Sequence, residues 1–230
     1  MHRDTDTTAR SSPSNTPGLR QVTADLWETS VDQPVPGLTT HAYLWTPPDS
    51  GNVLFYSVAT ERDLDDVARL GGVAHQYLSH RDEAGPMLVE LQRRFDCRLH
   101  APALEAHQIA PHRRPDVQFE VHEHDSNGVE ILPTPGHSPG STCFVVDGAE
   151  GRYLFVGDTM YPTGDGHWAA GYLSGISDAD ALGTSLDRLA EVEPDVAISS
   201  AFAGDAGSHQ MQRGEWRHHV DEARRGLPGA

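Results

Sequence analysis

The sequence predicts an α/β chain in which packed β-sheets carry helices on their outer faces. Three observations lead there: short β-branched and aromatic runs recur along the chain, segments of helical period are interspersed among them, and Pro/Gly turns separate the two kinds. Residues 22–27, 39–45 and 52–56 read as short strands joined in a meander by Pro, Gly and Asp turns. Residues 61–70 carry Leu64, Val67, Ala68 and Leu70 at helical spacing, and Gly71 with Gly72 ends that helix. A buried strand follows at 74–78, then a second helix at 86–95 with Pro86 at its first position and Leu88, Leu91 and Phe95 on one face. Residues 97–100 form the next strand, and 117–156 read as strand after strand. A helix at 178–192, a strand at 196–199 and a helix at 212–226 close the chain. The Thr/Ser/Pro-rich residues 1–20 read as a disordered tail before one domain at 21–230.

Composition narrows the function. A chain of 230 residues with 37% hydrophobic content can bury a sizeable core. Its formal charge of -17, from 17 basic against 34 acidic residues, repels a phosphate backbone and argues against nucleic acid as a partner. No segment has the length and apolarity of a membrane span or of a secretory signal, so no membrane partner is expected. The two cysteines, Cys97 and Cys143, imply no disulfide framework, and the expected location is the cytoplasm. Nothing in the sequence indicates an oligomer.

The chemistry concentrates at strand ends. Residues 133–140 hold three Pro and two Gly around His137, between apolar runs that read as strands, so the imidazole is aimed by a stiffened turn. The apolar run 153–156 leads through Gly157 to Asp158 at a neighbouring strand end. A third junction packs His80, Asp82 and Glu83 into four residues, where the strand at 74–78 gives way to a helix. Each has a plain alternative. Asp82 and Glu83 suit a helix N-terminus, Asp158 suits a turn, and His137 suits a hydrogen-bonded core imidazole. Together, three junctions each delivering His or carboxylate point to a divalent metal.

These motifs resemble those of the metallo-β-lactamase superfamily. The turn Thr134-Pro-Gly-His-Ser-Pro-Gly-Ser141 and the segment Phe155-Val-Gly-Asp158 match its third and fourth metal motifs, and the resemblance covers about residues 21–205. It implies an αββα sandwich with the site at one edge, between the two sheets. The family's second motif, His-x-His-x-Asp-His, aligns with the segment from Leu78 to Glu83, so its first His is Leu78 and its last is Glu83. The Asp expected after the first strand motif is Tyr56, and the late Pro-Gly-His-Gly loop aligns with Ser199-Ser-Ala201-Phe202, without its His. Carried over residue by residue, the metal ligands are His80, Asp82, His137 and Asp158, with Glu83 as a substitute ligand. His167 is offered as a further ligand against the reading of a surface-loop imidazole, with Trp168 and Tyr172 as apolar cover for a substrate. His41 is expected to support a strand end, and His75 to point elsewhere.

The resulting expectation is a glyoxalase-like metal-dependent hydrolase. It acts on an ester, thioester, lactone or amide of a small-molecule substrate through metal-activated water, with Asp82 as ligand or as the group orienting that water. One or two divalent ions are expected, zinc, iron or manganese; three carboxylates and two imidazoles leave a tolerable net charge with either number. Two other readings stand beside it. His80, His137 and Asp158 make the two-His, one-carboxylate set of a mononuclear iron oxygenase, as in persulfide dioxygenases on the same fold. Alternatively, the changes at Tyr56, Leu78, Glu83 and Ala201 leave a binding protein that holds no metal.

Overall fold

The computed structural model describes residues 18–58, 60–203 and 206–229. The predicted tail at 1–20 lies outside the described residues up to position 17, and Arg20 already opens the first strand. Two sheets lie face to face. The first runs in the order Arg20–Thr23, Leu26–Glu28, Tyr43–Trp45, Val53–Phe55, His75–Tyr77, Arg98–Pro102 and Val117–Phe119. Its early pairings are antiparallel and its last three parallel, because helices intervene only between the later strands. The second runs Glu123–His124, Glu130–Pro133, Thr142–Gly148, Gly151–Gly157, Val196–Ser199 and Ser208–Gln210.

Alternation along the strands assigns each residue to a layer. Tyr43, Phe55, Tyr77, Phe144, Tyr153 and Phe155 face inward and fill the space between the sheets, with Phe55 and Phe155 stacked at 3.9 Å between ring centroids. Residues on the opposite faces bury against helices. Leu44 and Leu54 pack with Leu64 and Val67 of α1 (Leu64–Arg69) and Leu91 of α2 (Met87–Phe95). Leu78 and Leu99 pack with Leu88 of α2 and Ile109 of α3 (Ala106–Ile109). Beneath the second sheet, Cys143, Val145, Leu154 and Val156 meet Leu182 and Leu186 of α4 (Ala179–Leu189) and Trp216 and Val220 of α5 (Glu215–Arg225). The layers are helix, sheet, sheet, helix: the expected αββα sandwich. Among the described residues no helix is long and apolar enough to cross a membrane, and Cys97 and Cys143 are free and buried.

Two expected strands are each broken in two. Residues 22–27 form a hairpin, Arg20–Thr23 with Leu26–Glu28, turning at Asp25. Asp25 accepts from Trp45 Nε1 (3.0 Å), Tyr153 Oη (2.7 Å) and Ala149 N (2.9 Å), so one buried carboxylate ties the hairpin to both sheets. Residues 39–45 divide at His41 and Ala42. Leu38–Thr40 joins Asp32–Val35 and Ala201–Phe202 in a small sheet, and Tyr43–Trp45 enters the large one. Two further elements lacked a clear period in the sequence: the short helical stretch from Ala103 to Ile109, and the hairpin Met160–Pro162 with Trp168–Ala170.

Two stability predictions follow from this packing. Asp25→Ala strands the buried donors of Trp45 and Tyr153 and frees Ala149 N, and is expected to cost about 3 kcal/mol, read as a lower urea midpoint at unchanged slope. The second concerns His100, which stacks on Tyr77 at 4.2 Å and lies 3.0 Å from the ring of His75. Burial, reinforced by His75, pushes its pKa from 6.5 down to about 4. Folded His100 refuses a proton that the unfolded chain accepts, so stability falls as pH drops from about 6.5 to about 4, by on the order of 3 kcal/mol. Urea titrations at pH 7 and pH 4.5 are expected to show a smaller acid loss for His100→Phe than for the unaltered protein.

Candidate metal centre

Three loops meet at one edge of the sandwich. His80 leaves the strand His75–Tyr77 through Leu78 and Ser79, in extended conformation (φ -163°), before the turn Arg81–Glu83. His137 sits on the Pro/Gly turn between Glu130–Pro133 and Thr142–Gly148, and Asp158 follows Gly151–Gly157. Gly136, at φ 136°, lets the His137 turn lie on the start of α4, where a Cβ would come 2.3 Å from the Leu182 backbone. Gly171 is equally constrained, because a Cβ there would lie 1.7 Å from the Asp158 carbonyl oxygen.

Both imidazoles are oriented from behind. His137 Nδ1 lies 2.6 Å from Gly171 O; a carbonyl only accepts, so Nδ1 carries the hydrogen and Nε2 faces the cleft. The Ser79 hydroxyl donates to Glu83 Oε1, so it accepts from His80 Nδ1 at 3.0 Å. Glu83 Oε1 is 3.3 Å from the same ring nitrogen, and Oε2 accepts from Ser79 N at 2.8 Å. Rear hydrogen bonds of this kind fix the tautomer of metal-binding histidines. The front nitrogen of His80 is buried without a hydrogen-bond partner, 3.3 Å from Asp158 Oδ2 but out of line with it.

The front atoms form one donor cluster. His137 Nε2 lies 3.9 Å from Asp158 Oδ2, and the two rings stand perpendicular at 4.9 Å between centroids. Asp82, with its side chain 62% exposed, brings Oδ2 to 3.9 Å from His80 Nε2. Donor atoms of His80, Asp82 and His137 all lie within 4.8 Å of one another. Burial alone would lower the His80 pKa, but Asp158 and Glu83 outweigh it and hold the imidazole well above its ordinary value. Asp158 is likewise pushed up by burial, yet His80, His137 and the donating Ser200 hydroxyl hold it well below the usual carboxylate range. An orphaned buried nitrogen, two rear-anchored imidazoles and two carboxylates suit a divalent ion.

Not every expected residue joins this cluster. Glu83, expected as a substitute ligand, stands behind His80 with both oxygens engaged by Ser79 and the His80 ring. His167 does not reach the cleft: it is exposed, and its Nδ1 pairs with Glu222 of α5 at 2.9 Å. Trp168 is buried against Trp216 rather than covering a substrate, because its strand alternation turns it toward α5. Tyr172 does line the cleft. His75 points away, to His100. His41 lines the cleft wall and stacks on Phe202 at 5.1 Å, while its backbone N–H donates to Ser200 O.

The altered motif positions are each accounted for. Leu78 is fully buried in the outer helical layer and does not fill the site. Tyr56 adopts φ 70°, held by Tyr77 O and Gln76 Nε2 on its backbone; its hydroxyl accepts from Gly157 N (3.0 Å) and donates to Ile198 O (3.2 Å). Ala201 leaves cleft wall where the resemblance implies a ligand. Four positions escaped sequence reasoning: Ser79 and Gly171 behind the rings, Ser200 on Asp158, and Glu105. Fully buried Glu105 accepts from Arg81 N (2.5 Å) and Gly140 N (3.0 Å), joining the His80 turn to the His137 turn. Ser79 and Ser200 fall within aligned motif segments but at variable positions, and Gly171 and Glu105 outside them, so the role of each is legible only in three dimensions.

The Metallo-beta-lactamase superfamily profile matches residues 63–201. Among solved structures, a metallo-beta-lactamase from Pontibacter korlensis aligns with TM-score 0.68 at 15% identity, covering 91% of this chain and 99% of that one. A B3 metallo-beta-lactamase with an active-site glutamic acid aligns with TM-score 0.66 at 15% identity, over 90% of this chain and 87% of that one. DIM-1 metallo-beta-lactamase, exposed to ceftazidime, aligns with TM-score 0.65 at 13% identity, over 89% and 96%. At these identities the structures speak for the fold. No curated protein matches the sequence.

Glu83→Gln keeps the size of the side chain but weakens its hold on His80. It is expected to lower metal affinity by about 10- to 100-fold with an unchanged circular dichroism spectrum, measured by chelator competition. Unchanged affinity would mean that Glu83 is dispensable to the His80 orientation.

Proposed function

The chain belongs to the metallo-β-lactamase superfamily, and on that footing we propose that it is a metal-dependent hydrolase of a small ester, thioester, lactone or amide. The observation that carries this reading is the pair of rear-anchored imidazoles, His80 and His137, presenting their Nε2 atoms beside Asp158 at the floor of a cleft of about 890 Å³. His80, His137 and Asp158, with Asp82 at the rim, would hold one divalent ion of the zinc, iron or manganese kind. Such an ion supplies a water acidic enough to ionise near neutrality and an electrophile for the substrate carbonyl. The solvent-exposed carboxylate of Asp82 stands where it can orient that water and take its proton. Leu38, Val58, Met87, Tyr172 and Leu173 wall the cleft and give an apolar acyl or leaving group a dry surface.

Charge favours one substrate class. The described lining includes Asp32, Asp82, Glu83 and Asp158 but neither Arg nor Lys, and the whole chain carries -17. A substrate bearing a carboxylate therefore finds no Arg or Lys there and diffuses against the protein's field. Neutral or cationic substrates suit the cleft better. The departures at Tyr56, Leu78 and Ala201 do not argue for an inactive binding protein, since His80, Asp82 and His137 still cluster and Asp158 still stands beside both imidazoles.

Untagged protein loaded in turn with zinc, manganese or iron(II) and given neutral, cationic and succinylated aryl esters tests this reading. Hydrolysis is expected to vanish with chelator and to fall by at least about 100-fold in His137→Ala. Neutral and cationic esters are expected to exceed the succinylated one in kcat/KM by about tenfold or more. Chelator-insensitive turnover would overturn the assignment. Oxygen uptake by the iron form with a persulfide, without ester cleavage, would move it to the oxygenase chemistry that the same two-His, one-carboxylate set supports.

A further inference from the structure

A second cluster of metal-ligand side chains lies on the outer strand of the second sheet, at the opposite end of the strand Glu130–Pro133 from the His137 turn. His122 immediately precedes the edge strand that holds His124, and the two rings lie 6.2 Å apart between centroids. The edge strand Glu123–His124 pairs antiparallel with Glu130–Pro133, and His124 stands directly opposite Glu130. Cross-strand neighbours share a face, which brings the carboxylate under both imidazoles. Glu130 Oε1 lies 2.9 Å from His122 Nε2 and 3.9 Å from His124 Nε2, and the three donor atoms fall within 4.8 Å of one another.

The carboxylate is held from behind. Arg152, on the strand Gly151–Gly157, donates to Glu130 Oε2 at 2.7 Å and leaves Oε1 to the imidazoles. Both rings are exposed, and neither they nor Glu130 line the hydrolytic cleft, so the cluster is separate from the proposed catalytic centre.

We propose that His122, His124 and Glu130 form a second, surface site for a divalent transition ion of borderline softness: zinc, nickel or copper(II). Two imidazole nitrogens and one carboxylate oxygen match the preferences of these ions and not those of calcium or magnesium, which take oxygen donors. Three protein donors on a solvent-facing edge leave the remaining coordination positions to water. Bound metal cross-links a two-residue edge strand to its neighbour and stabilises the folded state increasingly as free metal rises above its Kd. The protein's total metal content then exceeds that of the cleft by one ion.

The test is metal titration of untagged protein with zinc and with copper(II), with bound metal counted after gel filtration. His122→Ala and Glu130→Gln are each expected to bind one equivalent fewer than the unaltered protein, or to bind it about tenfold or more weakly, with unchanged circular dichroism. A His80→Ala/His137→Ala background is expected to retain one equivalent, lost again on adding His122→Ala. The single-variant comparison does not depend on that background folding. Equal stoichiometry and affinity in His122→Ala, Glu130→Gln and the unaltered protein would overturn the site, and show that His122 and Glu130 form only an ion pair. That result would leave the hydrolase reading intact, since no cleft ligand is altered.

Discussion

The buried carboxylate of Glu105 holds the relation on which the metal centre depends. Its oxygens accept from Arg81 N and Gly140 N, one in the turn that follows His80 and the other in the turn that follows His137. Two loops from different sheets, carrying imidazoles that must share one point in space, are thereby tied through a group with no access to water. A carboxylate in such a place costs a large desolvation penalty unless its oxygens are satisfied by donors, and here the donors are the backbone of the loops it positions. Mobility between the loops is thus opposed by the cost of stranding a buried charge. That constraint is stiffer than an apolar contact would supply.

Within this frame, the His80 environment is arranged around its front nitrogen. Ser79 and Glu83 hold the rear nitrogen, and Asp158 faces the front one. Without metal, the position beside Asp158 attracts a proton, which is why the imidazole is held well above its ordinary pKa while the carboxyl is held well below its own. The same electrostatics that draw a proton draw a divalent cation, and loading such a site displaces the proton. The paired shifts and the orphaned nitrogen therefore have one cause: anionic groups converge on a buried imidazole from both sides.

Much of this was legible in the sequence because strand ends are punctuated. The turn around His137 and the step from Gly157 to Asp158 announce themselves through Pro, Gly and apolar runs, and the helices at α1, α2, α4 and α5 follow a plain apolar period. What was not legible depends on pairing between distant segments. Residues 39–45 look like one strand, yet the chain changes sheets at His41, because its N–H donates to Ser200, about 160 residues away in sequence. Glu83 looks like a ligand because it occupies a ligand's place in the motif, but Ser79 captures it behind the ring. His167 and Trp168 follow Asp158 closely in sequence, yet their side chains lean on α5 rather than over the cleft. The strand break at His41 and the lean of Trp168 are settled by nonlocal hydrogen bonds and packing, whereas Glu83 is settled by a bond within its own turn that the motif spacing does not reveal.

The departure at Tyr56 shows how a fold can lose an expected ligand and keep its site. Its hydroxyl bridges Gly157 N and Ile198 O, two strands of the opposite sheet, so the side chain works as a strut across the sandwich. Burial raises its phenol well above the ordinary value, which keeps it neutral and makes it a poor metal ligand. The left-handed backbone of Tyr56 costs about 1–2 kcal/mol in a residue with a Cβ, and hydrogen bonds to Tyr77 and Gln76 hold it there. With Tyr56 spent on structure, Leu78 in the helical layer and Glu83 behind His80, the described donors converge on one point. The placement of these three altered side chains, rather than the number of histidines remaining, is what supports the proposed reading of a single ion.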